Sequence, residues 1–493
     1  MSIRMERWVT TGDFASRGHV AGPPGNQRIS IRHKDYCEGL LVEGRPGGAK
    51  TICAINPTIS AYAEGGGSLF VICIKKDAAR EAIALCRRAG RGSDLMVIGD
   101  GPGEHPYYIT GGLSPATIAE IALQVYRLSS PSSRGDAFFE SNASIRLEAA
   151  AKLIYGVYGD GDGVDLRRFT VGGGRAEMMQ VAETLAEQLD GSGDPELQAR
   201  ADAIFEGLDY ERGEYEELRK SDKTHASVLS CLTPFLSVFN DRKFARTFCE
   251  RKSGGSLEDL YRGKIVIVSL DVERNKRQAR AAALLMMAQF EALMRRAHGF
   301  RADDPRRAVE IGFVLDEWGD IASSSQADFL RLARSARIGY TFAVQSDSEL
   351  GRVLGGMENA DALIGLFGNR VCFSTLDRRT MESFQHILGK TDQLHATSAT
   401  TSGKNAGTNT GASSNFGSGY GGSNSQGQSQ GSSTSRSLTT TTREADVCNQ
   451  QTFRGLERRD EGGRPAWVQA VAMLNLGGRA IDDVIWAEPV FAE

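Results

Sequence analysis

The chain has 493 residues, 40% of them hydrophobic, and a formal net charge of −4. That is enough for two or three domains with a sizeable core, and the mild acidity argues against a broadly basic, free-standing nucleic-acid binder while leaving room for a narrow basic pore. The longest apolar stretches, 68–74, 228–239 and 281–294, fall short of the about 18 residues a spanning helix needs. Arg4, Glu6, Arg7 and Asp13 leave no room for a signal-peptide core, so a cytoplasmic location without an intrinsic transmembrane segment is expected.

Along the chain, Gly22-Pro23-Pro24-Gly25 starts like a phosphate loop but continues without a lysine, and reads as a plain turn. The apolar run Leu40-Leu41-Val42 reads as a strand, and residues 44–51, GRPGGAKT, follow it and open a helical pattern. Glycines at Gly44, Gly47 and Gly48 let backbone N–H groups wrap phosphate oxygens. Lys50 would reach the β and γ phosphates, and the Thr51 hydroxyl would bind Mg²⁺. Ala49 stands where the usual pattern has glycine, a substitution that is costly only if that position has a positive φ.

Further buried-strand runs occur at 69–74, 95–98, 265–270, 311–315, 340–344, 371–375 and 467–473, most followed by helical patterns. Strands alternating with helices predict a mainly parallel sheet covered on both faces. Between 138 and 248 the spacing turns helical, which predicts an all-helical insert. Within it, 160–165 (DGDGVD) places its carboxylates at the wrong steps for a calcium loop and reads as a polar loop. The eight cysteines lack a CxxC pair and read as buried thiols, and the seven histidines show no metal-ligand spacing. Residues 396–442 are almost wholly Ser, Gly, Thr, Asn and Gln, predicting a disordered linker.

The run 313–315 ends in Asp316 and Glu317. A carboxylate at the end of a strand next to a phosphate loop can hold Mg²⁺, and its neighbour can polarise the attacking water. Read alone, the pair also suits a helix N-terminus, which favours negative charge. Paired with residues 44–51, it points to a P-loop ATPase using ATP and Mg²⁺.

The block 310–389 resembles the type IV coupling proteins, the TraG/TraD family of conjugation ATPases. The resemblance rests on 313–321 (FVLDEWGDI), 329–346 (FLRLARSARIGYTFAVQS), 367–376 (FGNRVCFSTL) and 380–389, with 136–140 (DAFFE), 263–270 and the late Ser/Gly/Thr-rich stretch as further likenesses. It implies an α/β, RecA-like P-loop NTPase interrupted by an all-α domain. The implied boundaries are 1–135 for the first part of the nucleotide-binding domain, 136–248 for the insert and 249–395 for the second part. A linker at 396–442 and completing strands at 443–493 follow. The resemblance also implies a homo-hexameric ring moving single-stranded DNA, with a relaxase or accessory protein, toward a type IV secretion channel. A peripheral place at the inner membrane would come through such partners.

Carried over by likeness, Gln345 takes a sensor role, which an amide at a strand end can fill by bonding both γ-phosphate and water. Arg334 takes the place of a finger reaching a neighbouring subunit's nucleotide, with Arg331 and Arg337 as competitors. A solvated helix face is the alternative for all three. Besides Ala49, Cys73 departs from the family where many relatives carry an acid before Lys75. Two other functions stay open, an ATPase acting on secreted proteins and a nucleotide-binding scaffold with weak hydrolysis.

Overall fold

The computed structural model describes residues 3–10, 28–99, 101, 103–129, 136–249, 255–301, 303–411, 425–446 and 448–492. The turn expected at 22–25 lies outside them. The chain divides into two units, Met1–Phe384 with Asn449–Glu493, and Gln385–Cys448.

The larger unit is built on a twelve-stranded sheet. Its strands are β1 (Arg4–Thr10), β2 (Arg28–Arg32), β3 (Leu40–Glu43), β4 (Ser68–Cys73), β5 (Leu95–Ile98), β6 (Ile265–Ser269), β7 (Ile311–Leu315), β8 (Ile338–Val344) and β9 (Asn369–Cys372). In the smaller unit β10 (Lys390–Gly411) and β11 (Ser425–Asp446) follow, and the large sheet resumes with β12 (Arg458–Glu461), β13 (Arg464–Leu476) and β14 (Arg479–Ala487). The order is β2-β1-β14-β13-β9-β3-β8-β7-β4-β6-β5, with β12 beside β13. From β9 to β5 every pairing is parallel, whereas β13, β14, β1 and β2 add antiparallel neighbours.

The parallel strands are apolar without alternation because both faces are covered. Every residue of β3, β4, β6, β7 and β8 is buried. On one face Phe313 sits among Phe70, Phe290, Phe329 and Phe342, with ring centroids 5.0 to 5.3 Å away. Phe290 and Phe329 come from the helices Lys276–His298 and Gln326–Ser335. On the other face Tyr62, Ile59, Leu85 and Cys86, from the helices Asn56–Glu64 and Lys76–Arg88, join a second core with Trp8 and Val42.

Between Ala137 and Phe248 the backbone is helical, beginning with a 22-residue helix, Ala137–Tyr158. Asp136 starts it by accepting from Phe138 N, and Gly159 ends it at φ 82, as a left-handed cap requires. The polar loop at 160–165 serves the next helix, Gly163–Thr170: Asp162 accepts from the backbone N–H of Val164 and Asp165. The insert's core holds a buried ion pair, Arg146 with Glu211, and the Arg146 guanidinium lies 3.8 Å from the Tyr215 ring centroid. All eight cysteines are free thiols and seven are buried.

The smaller unit departs from the expected linker. Residues 390–411 pair antiparallel with 425–446, in register from Lys390 opposite Asp446 to Gly411 opposite Ser425. Poverty in apolar side chains excludes a packed core, but it does not prevent backbone groups from satisfying one another across a hairpin, and threonine favours extended backbone. Part of the expected linker, 412–424, lies outside the described residues.

Emptying the aromatic cluster tests the larger core. Phe313→Ala is expected to cost about 3–5 kcal/mol, read as a lowered midpoint of urea denaturation.

Candidate nucleotide and metal site

Three strand ends converge. β3 ends on Glu43 and passes into the turn at 44–51, β7 is followed by Asp316 and Glu317, and β8, between them in the sheet, is followed by Gln345. Because the strands are parallel, all three ends open on one side, where open α/β sheets bind ligands.

The turn depends on left-handed backbone at three points, Gly44 (φ 147), Gly47 (φ 72) and Ala49 (φ 70). A side chain on Gly48 would meet the Arg45 carbonyl oxygen at 2.8 Å, so the cradle has no room for one there. Ala49 therefore does carry the penalty that glycine would avoid, about 1–2 kcal/mol for a left-handed L-residue. Lys50 is buried, and its Nζ donates to the carbonyl oxygens of Gly44 at 2.5 Å and Arg45 at 3.4 Å. Burial lowers its pKa, against the pull of Asp316, Glu317 and Glu349. Thr51 begins a π-helical turn, Thr51–Ile55, that leads into the helix Asn56–Glu64.

Across the site Thr51 Oγ1 donates to Asp316 Oδ2 at 3.0 Å. Burial and then the neighbouring Glu317 raise the Asp316 pKa, while the Thr51 hydrogen bond and Lys50 oppose the rise. A partly buried carboxylate short of positive charge, with a hydroxyl against it, is a donor set of the hard-oxygen kind that suits Mg²⁺. Glu317 has left-handed backbone (φ 58, ψ 46). Its Oε1 accepts from Lys75 Nζ at 2.6 Å, and its Oε2 accepts from Gln345 Nε2 at 3.4 Å. Burial alone would raise the Glu317 pKa, but the hydrogen bond and charge of Lys75 outweigh it and leave the group below its ordinary value. Among the described residues only Ala49, Glu317 and Arg337 combine a side chain with positive φ, and two of them are here.

Directly beneath lies a cluster that the sequence reading missed. Arg370 on β9 donates through Nε and Nη2 to Glu43 at 3.0 and 2.8 Å, lies 3.4 Å from Asp347, and donates through Nη1 to Ser383 Oγ at 2.7 Å. All three ionic partners are 2% exposed or less. Burial works against the charge on Arg370, but Glu43 and Asp347 hold its pKa above the ordinary value. The cluster ties the residue before Gly44 to the helix that follows Gln345. Its signal was an arginine and a glutamate inside apolar runs, since such residues are almost never fully buried unless paired. Lys75 was noticed only as the neighbour of Cys73, and Glu349, whose carboxylate accepts from Gln345 N at 3.1 Å, was not noticed.

The structure thus brings together residues 44–51, Asp316, Glu317 and Gln345, but not Arg334. Arg334 precedes β8, pairs with Glu38 at 2.8 Å, and stands at the opposite end of the strand from Gln345. Seven strand residues put roughly 20 Å between those ends. Arg331 pairs with Asp328 at 3.2 Å, and the Arg337 carbonyl accepts from His33 Nε2 at 2.9 Å.

Residues 310–451 match the family model described as the TraM recognition site of TraD and TraG, which bears out the resemblance over that block. No curated protein sequence matches the chain. Among solved structures, it is similar to the bacterial conjugative coupling protein TrwBdeltaN70 in its unbound monoclinic form, with TM-score 0.53 at 15% identity over 99% of this chain and 94% of that one. The trigonal form in complex with sulphate gives 0.55 at 14% identity over 99% and 93%. TrwB in complex with the non-hydrolysable ATP analogue ADPNP gives 0.53 at 15% identity over 100% and 95%. The fold is therefore α/β and RecA-like, as expected.

Two outcomes follow from the strained and buried positions. Ala49→Gly relieves the left-handed alanine but loosens the unfolded chain, for a net gain of about 0.5–1 kcal/mol in denaturant titration. The raised pKa of Asp316 makes the folded protein lose stability as pH climbs from the ordinary aspartate range through that raised value. Asp316→Asn without Mg²⁺ should therefore melt higher than the parent at pH 7, and the gap should close toward pH about 4.

Proposed function

We propose that the protein is a Mg²⁺-dependent ATPase that drives single-stranded DNA, free or carried by a relaxase, into a type IV secretion or conjugation channel. The observation that carries this reading is the meeting of Lys50, Thr51, Asp316, Glu317 and Gln345 at the carboxyl ends of three adjacent parallel strands. Thr51 and Asp316 would hold Mg²⁺, which when bound neutralises charge between the β and γ phosphates. The turn's N–H groups and Lys50 would bind the phosphates, with the nucleotide taking over the lysine donors now spent on Gly44 and Arg45. Glu317 would orient a water and accept its proton as the water oxygen bonds to the γ-phosphorus and the bond to the bridging oxygen breaks, giving ADP and phosphate. Gln345 would steady that water against the γ-phosphate.

A ring would give Arg334 a role. At the far end of β8 it is out of reach of its own chain's nucleotide, so a finger role needs a second copy, as in a homo-hexamer. Such an arginine contributes roughly 10³ to 10⁵ in rate. The match over 310–451 supports an accessory partner of the kind TraM represents. No described helix is long and apolar enough to cross a membrane. A second reading, nucleotide binding with weak turnover, draws on Ala49 at φ 70, where the phosphate cradle is strained. Stimulation by polypeptide and not by DNA would instead favour secreted protein as cargo.

Steady-state ATP hydrolysis with and without single-stranded DNA tests the reading. Stimulation by DNA is expected, with Lys50→Ala losing nucleotide binding and Glu317→Gln keeping binding while turnover falls roughly 10²-fold or more. Turnover indifferent to both substitutions would refute it.

A further inference from the structure

Lys75 stands two residues beyond the end of β4 (Ser68–Cys73), immediately before the helix Lys76–Arg88, and β4 lies directly beside β7. It reaches across to Glu317 at 2.6 Å while Gln345 takes the other carboxylate oxygen at 3.4 Å, so both oxygens of the proposed base are engaged. Each oxygen keeps a further lone pair, but with a cation on one and an amide on the other the carboxylate is held in one orientation and must turn to meet a water placed elsewhere. The strained backbone of Glu317 adds to the picture of a residue held in a particular orientation.

The pair is also one that can open. The Lys75 side chain is 45% exposed, and an ion pair so wetted is worth at most about 1 kcal/mol. The next residue, Lys76, bonds Glu104 at 3.3 Å and lines a crevice with Arg80, Lys243 and Arg274. The same crevice is lined by Ser269, whose buried hydroxyl has no hydrogen-bond partner among the described residues. Consecutive lysines thus face two places, one the carboxylate of Glu317 and the other a crevice in which Lys76, Arg80, Arg87, Lys243 and Arg274 outnumber Glu104 and Asp271, so that its net charge favours a polyanion.

We propose that Lys75 is a positioning residue that restrains hydrolysis, holding Glu317 idle until phosphates in the adjoining crevice shift the turn and release it. The proposal rests on the ATPase reading given above. It gives that reading a way for DNA to control turnover, because a strand that binds the released turn better than the paired one shifts the equilibrium between them.

The test compares the full-length protein with Lys75→Met, Lys75→Arg and Glu317→Gln, measuring kcat and KM for ATP with and without a single-stranded oligonucleotide. Lys75→Met is expected to raise basal kcat by up to about fivefold with KM unchanged and to abolish most stimulation by DNA, since removing a pair worth at most about 1 kcal/mol shifts a population by about that factor. Lys75→Arg, which can keep the pair, should stay near the parent. If Glu317→Gln abolishes turnover while Lys75→Met lowers basal kcat, Lys75 is a catalytic cation and the proposal is overturned. An unchanged basal rate with stimulation intact overturns it equally. A parent that is silent even with DNA, joined by an active Lys75→Met, supports the restraint, and silence in both overturns it. If Glu317→Gln hydrolyses as well as the parent, the ATPase assignment of that carboxylate fails first.

Discussion

The structure is organised around an excess of carboxylates at one edge of a parallel sheet. Glu43, Asp316, Glu317, Asp347 and Glu349 all lie at or just beyond the carboxyl ends of β3, β7 and β8, Glu43 and Asp347 fully buried and the other three partly so. Uncompensated charge there would be prohibitive, so each acid has a designated partner or a raised pKa. Arg370 pairs with both Glu43 and Asp347, one positive charge for two carboxylates, and burial raises the Glu43 pKa; Lys75 pairs with Glu317, and Lys50 faces Asp316 and Glu317 with too little charge for both. The remaining deficit sits at Asp316, beside the Thr51 hydroxyl. A further cation would relieve that deficit, which is where the proposed Mg²⁺ and nucleotide would act.

This explains which parts of the molecule were legible in the sequence. Buried parallel strands are apolar on both faces, so β3, β4, β6, β7 and β8 stand out as short uninterrupted runs, and the motifs at their ends come into view with them. The carboxylates at 316 and 317 and the loop at 44–51 carry their chemistry in their residue types. The partners do not. Nothing in the order of residues says that Lys75 reaches Glu317, because that contact depends on β4 lying next to β7, a long-range pairing of strands more than 230 residues apart. Arg370 and Glu43 were visible only as charges out of place in apolar surroundings. The hairpin at 390–446 was misread for another reason: its stabilisation is backbone to backbone, and a compositional argument about burial is blind to it.

Strain falls in the same place as charge. Ala49 and Glu317 take left-handed backbone at the two strand ends that face each other across the phosphate cradle, at a cost of about 1–2 kcal/mol each. Such conformations persist only where the surroundings over-determine them. Here the surroundings are the fully buried strands on either side and the Arg370 cluster under the loop, which fixes Glu43, the residue from which the loop departs.

The two ion networks at this edge therefore do opposite work. The Arg370 cluster is almost wholly excluded from water, and breaking one member leaves an unpaired buried charge that costs about 3–5 kcal/mol. It is in effect permanent, and it makes the base of the phosphate loop and the helix after Gln345 one rigid piece. The Lys75 pair joins the same edge, but its lysine is half exposed, so water can take the place of Glu317 on the ammonium at little cost while Glu317 keeps Gln345. Glu317 can change partners while Glu43, Asp347 and the loop stay where they are. The function proposed for this site needs a fixed frame and a small element that moves within it, and the difference in burial between Arg370 and Lys75 would separate those two roles along a single row of strand ends.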